Sequence, residues 1–355
     1  MALAASLTTG CASMLVPSEA DQPEAGKTAR PKYGLDKNAT QRLAAYAAFR
    51  GWDPCAMHDP VAAAKNPKLG KGDELEPDDL NGCILRTKLN EDPVPDGWRL
   101  SIELGQEFGP GRREDADPVQ IGSRQVFKQR PLGGALGATM DKGRCYFYVP
   151  AIGEYATSFS VNWNGMSDRP MATSACEAGT AYLTAVLPLW ADPPRRADGL
   201  TSPRLKLADQ DPCEAAKELE PLFGPGNEAD IRPMSPYECQ FQLSFESRMK
   251  QRQQGQPGGG GSKSSGPEVE IEFTWGASVA GLTEGGRGQW TPLKIGGHSA
   301  YQDTGGMRGG CRIGIQYDKT TLGGTSRDEQ IIEIQASDCE LAKRAAEPVL
   351  KAAKS

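Results

Sequence analysis

The sequence is short of histidine, with two residues, and has no run of about 18 apolar residues, so no helix of the mature chain is expected to cross a bilayer. It holds no Cys-x-x-Cys, Gly-x-Ser-x-Gly, P-loop or His-Glu-x-x-His. Zinc sites usually take paired ligands about two to four residues apart, and thioredoxin-like redox centres need that same spacing, so both chemistries lose their signature. The Gly-rich segments do not join a buried-type strand to a helix, as a phosphate cradle must. A basic block is also missing: acidic and basic residues are interspersed, with a formal charge of −6, which excludes nucleic acid as a partner. No catalytic residue, metal site or cofactor is expected.

Glycine and proline are plentiful, at 42 and 27 of 355 residues, which suits loop-rich α+β domains better than a helical bundle. At this length two domains are the prior expectation. The nine cysteines fall as one plus four plus four: Cys11, then Cys55, Cys83, Cys145 and Cys176, then Cys213, Cys239, Cys311 and Cys339. First-to-second separations in the quartets are 28 and 26, third-to-fourth 31 and 28, second-to-third 62 and 72. Much of that last excess lies in Gln256-Pro-Gly-Gly-Gly-Gly-Ser-Lys-Ser-Ser-Gly-Pro267, read as a flexible loop.

The residues around the cysteines repeat as well. Trp52-Asp53-Pro54-Cys55 answers Gln210-Asp211-Pro212-Cys213, read as a helix start with Asp as N-cap and Pro at N1. Ser174-Ala-Cys176-Glu177 answers Ser337-Asp-Cys339-Glu340, each a Ser-x-x-Glu capping box before a closing helix. Gln120 to Lys128 aligns without a gap on Lys294 to Gln302. Between the cysteines, apolar residues alternate at Leu100, Ile102 and Leu104, at Phe159, Val161 and Trp163, at Phe241, Leu243 and Phe245, at Val269, Ile271, Phe273 and Trp275, and at Ile332 and Ile334. This is the strand period. The expected fold is α+β, in two tandem pseudo-repeated domains, 38–195 and 196–355, each an antiparallel sheet flanked by N- and C-terminal helices and stapled by two disulfides. The Gly/Ser-rich loop is placed at 255–267.

Four cysteines allow three pairings. Cys311 opens a strand whose hairpin, turning near Gly323-Gly324, returns just before Cys339, and Cys145 and Cys176 flank an equivalent hairpin. This favours first with second and third with fourth: Cys55 with Cys83, Cys145 with Cys176, Cys213 with Cys239, and Cys311 with Cys339. Loops of this size give about 3 to 4 kcal/mol each. The nested scheme, first with fourth and second with third, remains open because it joins two helix starts.

Residues 1–11, Met-Ala-Leu-Ala-Ala-Ser-Leu-Thr-Thr-Gly-Cys, resemble the end of a bacterial lipoprotein signal, with Cys11 the lipidated residue. Gly10 and Cys11 fit, whereas Thr8 stands where an aliphatic residue is usual and no Lys or Arg precedes the run. A cytosolic start with an incidental cysteine is the alternative. The eight further cysteines favour an oxidising compartment, and stable anchoring takes more than one acyl chain. Residues 12–37 read as a tether.

Sites of recognition are sparse. His58 and His298 align with Ala216 and Arg124 in the other repeat and read as surface or loop residues. The acid pairs Asp78-Asp79 and Glu91-Asp92 read as solvated. Tyr146, Tyr148, Trp163 and Trp190 remain as candidate binding aromatics. Tyr146 and Tyr148 share one strand face and Phe147 takes the other, and Trp190 is placed at the domain junction, the default cleft for a ligand.

Asp-Pro-Cys opening a helix, a second cysteine entering the first strand, a third on a late strand and Cys-Glu at the start of the last helix resemble the four-cysteine domain of an actinobacterial secreted-lipoprotein family of unknown function. That domain is similar to the extracellular sensor domain of mycobacterial PknH-type receptor kinases. The resemblance spans about 40 to 352, twice. It implies a lipid-anchored, extracytoplasmic binding or sensor-like protein of the cell envelope, not an enzyme, held at the membrane through its lipid anchor, its partner an unknown envelope protein or small ligand. A secreted hydrolase with dispersed carboxylates and a structural assembly partner are the alternatives.

Overall fold

The alternating segments form two seven-stranded antiparallel sheets in the computed structural model, which describes residues 37–90, 96–130, 143–165, 173–198, 205–224, 227–253, 268–275, 290–304, 310–319 and 329–354. Cys11, the signal-like stretch 1–11, the expected tether 12–37 apart from Lys37, which opens the first helix, the loop 255–267, Glu91-Asp92 and the Gly323-Gly324 turn lie outside the described residues. The first sheet holds β1 (Lys71–Asp79), β2 (Gly82–Lys88), β3 (Trp98–Glu107), β4 (Ala116–Ile121), β5 (Arg124–Gln129), β6 (Arg144–Ile152) and β7 (Tyr155–Trp163), ordered β1-β2-β3-β7-β6-β5-β4. The second holds β8 (Ala229–Ser235), β9 (Glu238–Leu243), β10 (Glu268–Trp275), β11 (Trp290–Ile295), β12 (His298–Asp303), β13 (Cys311–Lys319) and β14 (Glu329–Ala336). Its order, β8-β9-β10-β14-β13-β12-β11, is the same when each sheet is counted from its own first strand.

The described residues include seven α-helices: α1 (Lys37–Arg50), α2 (Pro60–Lys65), α3 (Pro110–Glu114), α4 (Ala175–Val186), α5 (Ala216–Leu219), α6 (Phe245–Gln253) and α7 (Cys339–Ala352). One face of each sheet is buried by its closing helix. Ala178, Tyr182 and Leu183 of α4 join Phe147, Phe159 and Val161 in the first core. Leu341, Ala345 and Val349 of α7 join Ile313, Ile315, Ile332 and Ile334 in the second. The approach of α4 depends on Gly179, where a Cβ would stand 2.6 Å from Cε2 of Phe147.

The disulfides are Cys55–Cys83, Cys145–Cys176, Cys213–Cys239 and Cys311–Cys339. In each repeat the third cysteine sits at the start of β6 or β13, and the hairpin returns to deliver the fourth to the start of α4 or α7. Ser174 forms the expected capping box with Glu177, but in the second repeat Asp338, not Ser337, is the N-cap, bonding the Leu341 N–H. The cap thus sits one residue later than the Ser-x-x-Glu pattern implies.

Two local readings are corrected. Asp53-Pro54-Cys55 forms a turn, not a helix: Asp53 accepts from the N–H groups of Cys55 and Ala56, and α2 starts only at Pro60, capped by Asp59. Its counterpart is a helix start as expected: Asp211 is the N-cap, accepting the Cys213 N–H, Pro212 stands at N1, and the 3-10 turn Pro212–Ala215 runs straight into α5. Phe245 does not continue β9. It opens α6 and is 67% exposed, because the Ser244 hydroxyl accepts from the Ser247 N–H and begins the helix there.

Both halves belong to one compact unit, Pro31–Ser355, and they meet by exchanging equivalent turns. The β8–β9 turn docks on α1: Arg42 Nη1 donates to the Pro233 carbonyl (3.1 Å), the Tyr46 hydroxyl to that of Met234 (3.0 Å) and Arg50 Nη1 to that of Pro236 (2.9 Å). Arg50 also pairs with Asp211 at 2.9 Å. Pro236 lies so close to β3 that a Cβ on Gly105, whose φ is +78°, would stand 2.5 Å from its ring. In return the β1–β2 turn enters the second repeat. Leu80 is fully buried in the second core, and Oδ1 of Asp79 accepts the Trp275 N–H at 3.0 Å. Both turns carry the same register irregularity, between Pro77 and Asp79 and between Pro233 and Ser235. Asp79 is therefore not a solvated acid; Asp78, exposed and 3.3 Å from Arg99, is.

Candidate functional site

The segment after α4 turns back along the first cysteine. Trp52 bridges to Arg195, the Asp53 N–H donates to the Pro194 carbonyl (2.9 Å), and the Arg196 N–H donates to that of Gly51 (3.0 Å). Trp190, on a 3-10 turn, is thereby pressed on the sheet, its Nε1–H donating to the Met57 carbonyl at 2.9 Å and its ring edge-on to Phe159. Trp190 belongs to the first core rather than to the junction, since the chain doubles back before it crosses over.

This doubling back frames a half-open cavity of about 130 Å³. Its floor includes Val149 and Thr157, cross-strand partners on β6 and β7. Met57, Trp52 and Trp190 line it, Arg124 enters from the start of β5, and exposed Ala151 and Ala191 lie at its rim. Two side-chain donors of this lining have no partner: Nε1 of Trp52, a residue 8% exposed, and Nη1 of Arg124. Both nitrogens are sealed from solvent, and a buried donor left unpaired costs about 1 to 3 kcal/mol, so the wall of this small site holds two unmet donors beside apolar residues. The described lining contains no carboxylate.

The second repeat fills the corresponding place. Six residues after the third cysteine stands Tyr317 where the first repeat has Ala151. Its ring stacks on His298, the counterpart of Arg124, at 6.0 Å, and its hydroxyl donates to the Ala353 carbonyl at 2.7 Å. Nδ1 of His298 lies 3.0 Å from the Gln316 carbonyl. Ile332 replaces Thr157, as each pairs with the residue four past the third cysteine, Ile315 or Val149.

Of the four candidate aromatics, only Trp190 reaches the cavity. Tyr146 and Tyr148 lie on the face opposite Phe147, Tyr146 under the Arg144 guanidinium at 4.5 Å and Tyr148 stacked on Phe108 at 4.8 Å. Trp163 packs edge-on against Trp98. The four do not converge. Trp52, Met57, Arg124 and Thr157 were missed as site residues, although two of them, Trp52 and Arg124, stand where the repeats differ.

His58 is buried rather than at the surface, 5% exposed. The Tyr182 hydroxyl accepts from the Asp59 N–H (3.0 Å) and so donates to Nδ1 (2.9 Å), leaving Nε2–H to donate to the Cys83 carbonyl (3.1 Å). Burial lowers the imidazole to about 4, against the carbonyl contact that raises it. It braces the Cys55–Cys83 wall as a neutral ring. On the second sheet, Glu272 faces Glu333 across β14 and Glu238 across β9. Burial, and then Glu333, pushes Glu272 up to about 8; burial also raises Glu333, against Arg312. Among the described residues no group of three or more His, Cys, Asp or Glu is placed to hold a metal ion.

Comparison of the chain with protein-family models, with curated proteins and with solved structures gives no match.

Proposed function

We infer that the chain is an extracytoplasmic, lipid-anchored binding protein of the cell envelope, acting without catalysis, with its ligand taken up by the first repeat. The observation that carries this is the cavity between Trp52, Trp190 and Arg124, with two donors unmet and no carboxylate in its described lining. The four disulfides favour an oxidising compartment, and Cys11, in its signal-like context, supplies the anchor. The resemblance to the four-cysteine lipoprotein domain agrees with such a role. The hydrolase alternative draws no support from the cavity.

The test is purification of the native protein from its own membranes, followed by native mass spectrometry. The wild type should carry a small molecule that an Ala151→Tyr variant, which copies the filled second repeat, does not. Equal spectra for the two would sink the binding role. A Cys11→Ser variant should leave the membrane fraction; its retention there would overturn the anchor.

A further inference from the structure

The side-chain polar complement of the cavity is one-sided. Tryptophan Nε1–H only donates, and a guanidinium donates and stays charged. Each has an N–H without a partner, sealed from solvent in the wall, and the Thr157 hydroxyl, also of the lining, can donate or accept. The group that answers a lining with one positive charge and no carboxylate is an anionic acceptor. A carboxylate accepts a guanidinium in bidentate fashion. The remaining walls, Met57, Val149 and Trp190, are apolar and would be left against a bare inorganic ion, so the ligand needs an apolar body as well. Size limits that body to one ring or its equivalent, as an apolar cavity of about 150 Å³ accepts benzene.

We propose that the first repeat binds a small organic carboxylate with a single ring-sized apolar group. Its carboxylate meets the Arg124 guanidinium, and its apolar body lies against Met57, Val149 and Trp190. This assignment rests on the binding-protein reading above. Among the described residues of the second repeat the corresponding place is filled, because Tyr317 stands where Ala151 does and His298 is engaged by Gln316 and Tyr317. One ligand per chain follows, despite two sheets of one topology.

The probes are benzoate, its neutral isostere benzyl alcohol, and inorganic phosphate, titrated calorimetrically into the full chain, with circular dichroism to show that each variant is folded. Benzoate is expected to bind with a stoichiometry of one, at least tenfold tighter than either of the others. Arg124→Gln should weaken benzoate at least tenfold and leave benzyl alcohol unchanged, and Ala151→Tyr should abolish both. If benzyl alcohol binds as tightly as benzoate and both are lost in Ala151→Tyr, the carboxylate assignment falls while the binding role stands. If no probe binds, or Ala151→Tyr changes nothing, the cavity is not a ligand site and both fall. Phosphate binding as tightly as benzoate overturns the requirement for an apolar body.

Discussion

Asp79 accepts the backbone N–H of Trp275 at 3.0 Å, joining a turn of the first sheet to a strand of the second across 196 residues of sequence. Burial pushes this carboxyl up to about 6, against the pull of the Leu80 and Trp275 N–H groups. The folded chain therefore holds the proton more tightly than the unfolded one, and stability falls as pH rises from about 4 through 6. Asp79→Asn keeps an acceptor without the charge. In urea unfolding it should exceed the wild type at pH 7.5, with the gap closing below about pH 4; a gap independent of pH would defeat the assignment. Asp79→Ala removes the acceptor and should cost about 1 to 3 kcal/mol.

His58 acts in the opposite direction. Its folded value of about 4 lies below the unfolded one, so its stability contribution is complete above about pH 6.5 and is lost as pH falls toward 4, by up to about 3 kcal/mol. His58→Gln should be less stable than the wild type at pH 7.5 and show a flatter decline between pH 7 and 4.5. A decline as steep as that of the wild type would place the acid sensitivity elsewhere.

Glu272 loses solvation on the second sheet beside Glu333 and titrates near 8, so its ionised form disfavours folding from about pH 4.5 upward. Glu272→Gln is expected to raise the midpoint of thermal unfolding at pH 8 and to leave it unchanged at pH 4. If the gain is the same at both values, the effect is packing and not charge.

Under denaturing, non-reducing conditions the eight cysteines of the two quartets should be unreactive toward a thiol reagent. Replacing Cys145 and Cys176 together by Ser should cost about 2 to 5 kcal/mol. Peptide mapping that joins Cys55 to Cys176 would instead support nested pairing.

Much of this architecture was legible because its signals are local. Val269, Ile271, Phe273 and Trp275 alternate and are buried together on one face, and Asp-Pro-Cys and Cys-Glu mark chain positions independently of what surrounds them. The failures are long-range or involve capping. Phe245 follows the apolar alternation but also follows Ser244, and the hydroxyl decides. His58 looked dispensable because no histidine repeats it, yet its partners Tyr182 and Cys83 lie 124 and 25 residues away. The cavity was half legible. Trp190 was visible as an isolated aromatic, whereas the role of Arg124 depends on Ala151 being small where Tyr317 is large, and that contrast shows only once the two sheets are laid in register.

The exchange of turns also limits how far such a chain can be extended. In a solenoid each repeat leaves a face open for its successor, and arrays grow by adding units. In this chain the β1–β2 turn and the β8–β9 turn each occupy the other half, so the contact closes on itself as a two-fold dimer contact does. A third unit added in tandem would find both sockets filled. The pair of sheets thus behaves as a dimer written into one polypeptide.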